Sequence, residues 1–308
     1  MATALYSHPA FRGHVTPPGH PEQVARLAAV EAGLAGLPLD RRLAPLAEEA
    51  EVLRCHPGGW LRRVKAAVPE TGWAQLDGDT WLSPGTLEAA LRAVGGAGAA
   101  VDAVIAGEVK NAFVAARPPG HHAETATAMG FCLFGTVAIA AKRALDHHGL
   151  SRVAIVDFDV HHGNGTQDLL WEESRCFFAS SHEMPLYPGT GRPSEKGAQD
   201  QILNLPLKGG SGGEAMRAGY EAQIFPALAA WKPELILISA GFDAHADDPL
   251  ASLRWQAEDF RWLTARICDL AEEHAGGRVV SCLEGGYDLA ALAASVAAHV
   301  GVLEERGR

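Results

Sequence analysis

Short apolar runs alternate along the chain with longer segments whose apolar residues recur at helical spacing. The runs predict strands at residues 3–6, 112–116, 153–156, 176–180, 202–205, 234–239 and 279–283. The periodic segments predict helices at residues 21–37, 61–68, 84–106, 133–148, 214–230, 256–274 and 289–304. Because the inner strands are apolar on both sides, this indicates an α/β fold with a mostly parallel sheet between helices. We see no repeat, low-complexity block or interdomain linker, and expect one domain over residues 1–308.

The stretch at residues 153–167, VAIVDFDVHHGNGTQ, carries the densest chemistry. Its apolar strand ends abruptly in Asp157, Asp159 and His161. An open α/β sheet presents an active site in this way, with carboxylates and imidazoles at the carboxyl edge. Since Asp159 and His161 are two residues apart, both can reach one metal ion from a tight loop. Their oxygen and nitrogen atoms suit zinc.

Three further strand ends carry clustered polar residues, namely His121-His122, the group Asp243, His245, Asp247 and Asp248, and the segment Glu284-Gly285-Gly286-Tyr287. Loops that follow parallel strands emerge at the same edge of a sheet and can converge. A catalytic zinc site needs three protein ligands and an open position, and Asp159, His161 and Asp243 supply the three. A two-metal site is the alternative. It is disfavoured because Gly163 and His245 stand where bridging carboxylates would be needed.

The adjacent His121 and His122 can serve as base and acid beside a metal-bound water. Each imidazole needs a partner that fixes its tautomer, and Asp157 and Asn164 are the available carboxylate and amide. The charged partner should raise the pKa of its histidine more than the neutral one. Tyr287 follows two glycines after a strand, where its hydroxyl can donate to an oxyanion as a carbonyl becomes tetrahedral.

Composition narrows the class of protein. Hydrophobic residues make up 47% of the chain and charged residues 20%, which are globular values. No apolar run is long enough to predict a membrane span. The formal net charge of −11 argues against nucleic-acid binding and is compatible with cationic substrates.

The five cysteines are scattered and form no C-x-x-C pair, which indicates buried thiols in a reducing compartment. The N-terminal sequence lacks a basic region followed by an apolar core, so we expect no secretory signal and a cytoplasmic location. Three histidines of the proline-rich segment at residues 8–20 have no regular ligand spacing. We interpret these residues, His8, His14 and His20, as loop or surface residues.

Several segments in order along the chain resemble the histone deacetylase superfamily of zinc amidohydrolases. They are RPPGHHA (117–123), GFC (130–132), DFDVHHGNGTQ (157–167), YPGTG (187–191), GFDAHADDPL (241–250) and LEGGYDL (283–289). The sequences of these motifs are similar to those of the class II-like branch, which includes bacterial histone deacetylase-like amidohydrolases and acetylpolyamine amidohydrolases. The resemblance implies an arginase/deacetylase-type three-layer fold with a central, mostly parallel sheet of about eight strands.

The resemblance also implies roles for individual residues. It assigns zinc to Asp159, His161 and Asp243, the tandem histidines to His121 and His122, and the oxyanion tyrosine to Tyr287. Its implied substrate contacts are the aromatic walls Phe131 and Tyr187, the carbonyl of Gly130 and the rim residue Leu250. It further implies potassium at Asp157 and Ser180, and a second potassium at backbone carbonyls near Leu170 and Glu173.

We therefore predict a zinc-dependent amide hydrolase that removes acetyl or other short acyl groups from amines, with His122 as the base that later becomes the acid. Two substrate classes stay open, acetyl-lysine in proteins and small acylated amines such as acetylpolyamines. Leu250 replaces the glutamate that polyamine-selective members can carry, which disfavours recognition of a distal ammonium. The loops at residues 8–20 and 183–200, or a homo-oligomer, can narrow the mouth and favour small molecules. The alternative from another class is a metalloprotein that binds acyl groups without hydrolysing them, but the catalytic set is complete.

Overall fold

A computed structural model describes residues 2–308 and contains an eight-stranded sheet. Its strands are β1 (Ala4–Ser7), β2 (Asp40–Leu43), β5 (Asn111–Val114), β6 (Val153–Asp157), β7 (Cys176–Glu183), β8 (Ile202–Leu207), β9 (Leu235–Ala240) and β10 (Val279–Leu283); the hairpin of β3 (Ala74–Gln75) and β4 (Trp81–Leu82) is separate. The spatial order is β2-β1-β5-β10-β9-β6-β7-β8, and every neighbouring pair is parallel. The predicted parallel α/β sheet is confirmed.

Helices cover both faces of the sheet. They are α1 (Ala25–Leu34), α2 (Glu49–Val52), α3 (Gly58–Ala67), α4 (Thr86–Ile105), α5 (Thr136–Asp146), α6 (Asn164–Leu169), α7 (Gly213–Gly219), α8 (Phe225–Trp231), α9 (Ala257–His274) and α10 (Leu289–Gly307). Val153 and Ile155 of β6 pack in the core with α4 and α5, whereas Ala154 and Val156 pack in the core with α8, α9 and α10. Because strand side chains alternate between faces, both sets must be apolar, which explains the unbroken apolar runs.

Two details differ from the expectations. The pattern missed β2, because its sequence DRRL is an edge strand with charged side chains and gives no apolar run. The helix expected over residues 214–230 is interrupted by a π-helical turn at Tyr220–Ile224, between α7 and α8. Within residues 2–308, no helix combines the length and apolar character needed to cross a bilayer.

A buried charge network ties the N-terminal segment to the sheet. Arg26 and Arg117 both donate to the Glu22 carboxylate, and all three side chains are fully buried. His14, interpreted above as a loop or surface residue, is also buried, with its Nε2 3.3 Å from Glu22 Oε2. Burial by itself raises the pKa of Glu22, but Arg117 and His14 reverse this and lower it well below its ordinary value. His14 lies in a loop, as expected, but it is not at the surface, because Glu22 and Thr86 hold its ring in the interior.

His299 of α10 predicts how stability depends on pH. Its Nδ1 donates to Thr264 Oγ1 (2.7 Å), its Nε2 accepts from Ser281 Oγ (2.8 Å), and burial lowers its pKa to about 3. The unfolded chain therefore binds a proton below about pH 6.5 that the folded chain refuses, and stability is lost as the pH falls through this window. Between pH 7 and pH 5 we expect wild type to lose about 2 kcal/mol more than His299→Gln. Urea unfolding with a chelator present measures this; equal pH slopes would contradict it.

Candidate active site

The sheet order brings the four polar strand ends together. The strands β5, β10, β9 and β6 lie side by side in the centre of the sheet. The loops that follow them carry the histidine pair, Tyr287, Asp243 and the pair Asp159 and His161. Since all four strands are parallel, these loops meet at one edge, where open α/β sheets bind ligands.

Asp159, His161 and Asp243 form one buried cluster, with one donor atom of each within 4.8 Å of the others. His161 Nδ1 lies 3.1 Å from Asp159 Oδ1 and 3.2 Å from Asp243 Oδ2. Backbone amides orient both carboxylates, since Gly285 N–H donates to Asp159 (2.8 Å) and Val160 N–H to Asp243 (2.9 Å). Among the described residues this is the one cluster of His, Cys, Asp and Glu side chains that could hold a metal ion.

The charges in this cluster favour the binding of a cation. Burial by itself lowers the pKa of His161, but Asp159 and Asp243 outweigh it and raise the pKa to about 10. Burial and the charge of Asp159 raise the pKa of Asp243. Two buried carboxylates therefore draw positive charge to the point they share with the imidazole. A divalent cation supplies that charge and would allow His161 to bind in its neutral form.

Two glycines give the carboxylates room. A Cβ on Gly241 would lie 2.0 Å from Asp159 Oδ2, and a Cβ on Gly285 would lie 2.1 Å from Asp243 Oδ2. No side chain fits at either position without displacing a carboxylate. The first glycine of the GGY sequence is thus explained by close approach to the metal site rather than by loop flexibility.

His121 is paired with a carboxylate. Its Nδ1 lies 3.0 Å from Asp157 Oδ2, and its Nε2 lies 3.7 Å from Asp159 Oδ2. Burial lowers the pKa of His121, but the charges of Asp159 and Asp157 prevail and raise it well above its ordinary value. Without a metal, the two carboxylates favour the protonated form of this imidazole.

His122 has a neutral partner and the opposite shift. Asn164 Nδ2 donates to Glu124 Oε1 (2.8 Å), which turns the amide oxygen of Asn164 toward His122 Nδ1 at 2.7 Å. His122 therefore carries its proton on Nδ1 and presents a lone pair on Nε2. Burial, followed by the charges of His121 and His161, lowers its pKa well below the ordinary value. The two imidazoles, whose ring centroids are 4.0 Å apart, thus differ in protonation state.

Tyr287 is held from two sides. Its backbone N–H donates to Asp248 Oδ2 (2.7 Å), and Arg26 donates to the adjacent carbonyl of Gly286 (2.7 Å). The Arg26 guanidinium lies 5.0 Å from the centroid of the tyrosine ring. Burial raises the pKa of Tyr287 well above its ordinary value, so the phenol keeps its proton and can donate a hydrogen bond.

A cavity of about 220 Å³ opens to the surface beside the cluster of Asp159, His161 and Asp243, which is called the metal cluster below. It is lined by Asp79, His122, Gly130, Phe131, His161, Leu186, Tyr187, Leu250 and Tyr287. The substrate contacts that the resemblance implies, Gly130, Phe131, Tyr187 and Leu250, all lie in this lining. Tyr187 is 40% exposed at the mouth. The cavity is therefore a short, aromatic-walled tunnel that ends at the metal cluster.

The backbone at the tunnel wall is strained. Gly130 and Phe131 have φ values of 54° and 68°, in the left-handed region that a phenylalanine rarely adopts. A Cβ on Gly130 would lie 2.2 Å from the His122 ring, so only glycine lets the wall pass this close to the imidazole. Only Phe131 is strained, because glycine adopts this region freely; a non-glycine residue there costs roughly 1–3 kcal/mol, and such residues cluster at functional sites.

Not every residue singled out in the sequence reaches the tunnel. His245 is buried, and its Nδ1 accepts from the backbone N–H of Asp247 (3.2 Å); neither residue lines the cavity. Ser180 lies behind the cavity, opposite Asp157 in the register of β6 and β7. The expectation that the segment at residues 8–20 reaches the mouth agrees with the edge contact between His20 and Phe131, whose ring centroids are 4.8 Å apart.

Sequence reasoning missed Asp79, Leu186 and Arg26, of which Leu186 only adds apolar surface to the lining. Asp79 lines the tunnel and accepts the backbone N–H of Gly130 (3.0 Å), but its loop carries neither a strand nor a helix pattern. Arg26 supports Tyr287 from the N-terminal helix. A signal was available for Arg26, because an arginine on the apolar face of a helix, four residues after a glutamate, indicates a buried ion pair.

Comparisons with known proteins agree with this geometry. The profile described as histone deacetylase domain matches residues 20–303. The chain is 41% identical to the histone deacetylase-like amidohydrolase of Pseudomonas aeruginosa, over 91% of this chain and 74% of that protein. It is 38% identical to a probable deacetylase of Archaeoglobus fulgidus, over 94% of this chain and 82% of that protein. The crystal structure of the HDA15 HD domain superposes with a TM-score of 0.93 at 32% identity, covering 99% of this chain and 89% of that one.

Proposed function

The chain belongs to the histone deacetylase family and is a hydrolase, and on this premise we propose that it is a zinc-dependent enzyme that removes acetyl or other short acyl groups from amines. The observation that carries the proposal is the position of the cluster Asp159, His161 and Asp243 at the floor of an aromatic-walled tunnel, beside His122 and Tyr287. We also propose that residues 1–308 act as one catalytic domain.

The donor set fits zinc. Two carboxylate oxygens and one imidazole nitrogen lie within 4.8 Å of one another, and His161 also lines the tunnel, so these three residues would hold a catalytic zinc ion. When bound, zinc polarises the acyl carbonyl and lowers the pKa of the attacking water. The residues around it then supply proton transfer, hydrogen bonding and orientation.

His122 is the proposed base. Its neutral Nε2 takes a proton from the attacking water and later gives it to the leaving amine nitrogen. His121 keeps its own proton, because Asp157 and Asp159 hold it in the charged form. It therefore contributes positive charge next to the developing oxyanion rather than proton transfer.

Tyr287 and the tunnel wall orient the substrate. The protonated phenol of Tyr287 donates to the carbonyl oxygen as negative charge develops on it. The Gly130 carbonyl accepts the N–H of the scissile amide, and the rings of Phe131 and Tyr187 enclose the apolar stem of the amine. A substrate that fills this cavity would displace water from it, which would strengthen each of these interactions.

Potassium fits one of its two expected positions. His182 Nε2 donates to the Gly191 carbonyl (2.9 Å), so its Nδ1 accepts from the Ser180 hydroxyl (3.0 Å) and leaves the lone pairs of that oxygen free. The hydroxyl of Ser239, the other register neighbour of Asp157, is buried and has no hydrogen-bond partner in the part of the chain that the structure describes. We therefore assign potassium to the region of Asp157 and Ser180, which a cation titration monitored by thermal unfolding checks.

The second potassium position does not fit. The Leu170 carbonyl already accepts the Glu173 N–H (3.0 Å) and the side-chain amide of Gln201 (3.1 Å). The Glu173 carbonyl accepts the N–H of Cys176 (3.1 Å). The amide of Gln201 thus donates to a carbonyl that the cation would need, and we propose no potassium at this second position.

Two features of the tunnel mouth bear on the substrate class. The mouth is open, since Tyr187 is 40% exposed, and the rim residue Leu250 is apolar. Among the described residues that line this cavity, Asp79 is the one Asp, Glu, Lys or Arg. An open, mildly acidic rim favours an acetyl-lysine side chain in a peptide over selective capture of a distal ammonium.

The test is a side-by-side assay of the zinc-loaded protein on an acetyl-lysine peptide and on N-acetylated polyamines. We expect turnover of both, with the higher kcat/KM for the peptide. The Tyr287→Phe variant is the control and should lose about 10²–10³-fold in kcat while keeping its zinc. Turnover of polyamines alone would assign the enzyme to small acylated amines, and hydrolysis of neither substrate would overturn the proposal.

A further inference from the structure

The side chain of Glu284, the residue after β10, holds the loop that carries the histidine pair. Its Oε2 accepts the backbone N–H groups of Gly120 (2.7 Å) and His121 (3.1 Å). Glu284 is 1% exposed. One carboxylate oxygen therefore fixes two successive peptide groups immediately before His122, across 164 residues of sequence.

Those two amides have few alternatives. The loop at residues 117–123 runs between β5 and the tunnel without joining the sheet, so its buried N–H groups need acceptors from elsewhere. Within residues 2–308, the acceptor for the next amide, His122 N–H, is the Cys132 sulfur at 3.5 Å, which is a weak acceptor. Glu284 is thus the strong anchor of the backbone at the histidine pair.

The backbone of Glu284 is itself held in place by hydrogen bonds. Its backbone N–H donates to the Ala240 carbonyl (2.9 Å), and its own carbonyl accepts from Arg26. The next residue, Gly285, donates to the metal-binding carboxylate of Asp159 (2.8 Å). Residues 284–287 therefore set the histidine loop, one metal ligand and the tyrosine relative to one another.

The second oxygen of the Glu284 carboxylate adds no hydrogen bond to the fold. Among the described residues, Glu284 Oε1 is buried with no hydrogen-bond partner, which is a costly arrangement. Burial raises the pKa of this carboxyl group to about 7 against the opposing charge of His121. An unfavourable group retained beside the reacting centre is typical of a residue selected for geometry at the site.

We propose that Glu284 is a positioning residue of this site, which acts through the hydrogen bonds from Gly120 and His121 to keep both imidazoles in register with the metal cluster. This inference rests on the proposed amide hydrolysis. It assigns the effect to the reach of the acceptor oxygen and not to its charge, which separates it from an electrostatic role.

Two conservative variants distinguish the effect of the reach of the Glu284 side chain from the effect of its charge. Glu284→Gln keeps an acceptor oxygen at the same distance and removes the charge. Glu284→Asp keeps the charge but is one methylene too short to reach both amides. We expect Glu284→Gln to stay within about fivefold of wild-type kcat and Glu284→Asp to lose on the order of 10²-fold, because misplacement by about 1 Å has effects of that size. KM and zinc content should change little in either variant.

Glu234 provides a matched control. Its Oε2 also accepts two successive backbone N–H groups, of Ser151 (2.6 Å) and Arg152 (3.0 Å), but at the opposite end of the sheet. Glu234→Asp shortens an equivalent anchor and should leave kcat unchanged. Amide hydrogen exchange should accelerate at Gly120 and His121 in Glu284→Asp and not in Glu284→Gln, a readout that does not depend on turnover.

The outcomes separate this inference from the proposed function. If wild type hydrolyses neither substrate class, the proposed function fails, while the exchange rates still report whether Glu284 anchors the loop. If wild type is active and Glu284→Asp matches it, the positioning role is overturned. It is also overturned if Glu284→Gln falls as far as Glu284→Asp, because charge would then be the cause.

Discussion

Replacing Asp243 with Asn is expected to remove zinc from the protein and to lower kcat/KM by about 10³-fold or more. The proposed zinc site has three ligands among the described residues, and an amide oxygen is a weaker ligand than a carboxylate. Losing the metal forfeits several kcal/mol of transition-state stabilisation, and each 1.36 kcal/mol corresponds to about tenfold in rate.

Metal analysis and thermal unfolding distinguish this loss from a folding defect. Zinc should raise the unfolding temperature of wild type and not that of Asp243→Asn. Without metal, the variant should be at least as stable as wild type, because it removes one of two buried carboxylates that repel each other. Asp247→Asn is the matched control in the same loop, since this side chain is 73% exposed and outside the cluster. A variant that binds zinc and turns over normally would exclude Asp243 as a ligand.

Replacing His122 with Ala is expected to lower kcat by about 10²–10⁴-fold with zinc retained. The reason is its protonation state, because Asn164 fixes the proton on Nδ1 and the surroundings keep Nε2 free to accept another. His121→Ala should have a smaller effect, since that imidazole holds its proton and contributes charge alone.

The comparison of these two variants decides the assignment. Single-turnover rates and zinc content should be measured for both proteins under identical conditions. His148→Ala is a suitable control, because this histidine lies at the end of α5 and pairs with Asp102 away from the tunnel. A larger loss in His121→Ala than in His122→Ala would transfer the role of base to His121.

The sequence determined the elements and the chemical groups of the site. Apolar runs report burial on both faces of a strand, and for this reason β6, β9 and β10 were located correctly. The spacing of Asp159 and His161 is local, so their convergence could be predicted from two positions in one loop. The two glycines before Tyr287 are a local feature of the sequence, and Gly285 allows close approach to the Asp243 carboxylate.

Only the tertiary structure decided how those groups are supported. Asp79 meets Gly130, Arg26 meets Gly286, and Glu284 meets His121, at sequence separations of 51, 260 and 163 residues. No periodicity encodes such pairs, because the period of a segment reports which face is buried and not what lies opposite. Their identity follows from the order β5-β10-β9-β6, which the chain does not follow in sequence. The residues expected to bind the metal could be recognised in the sequence, because each lies in a shared loop or at a strand end. The residues that orient them come from elements that meet only after folding.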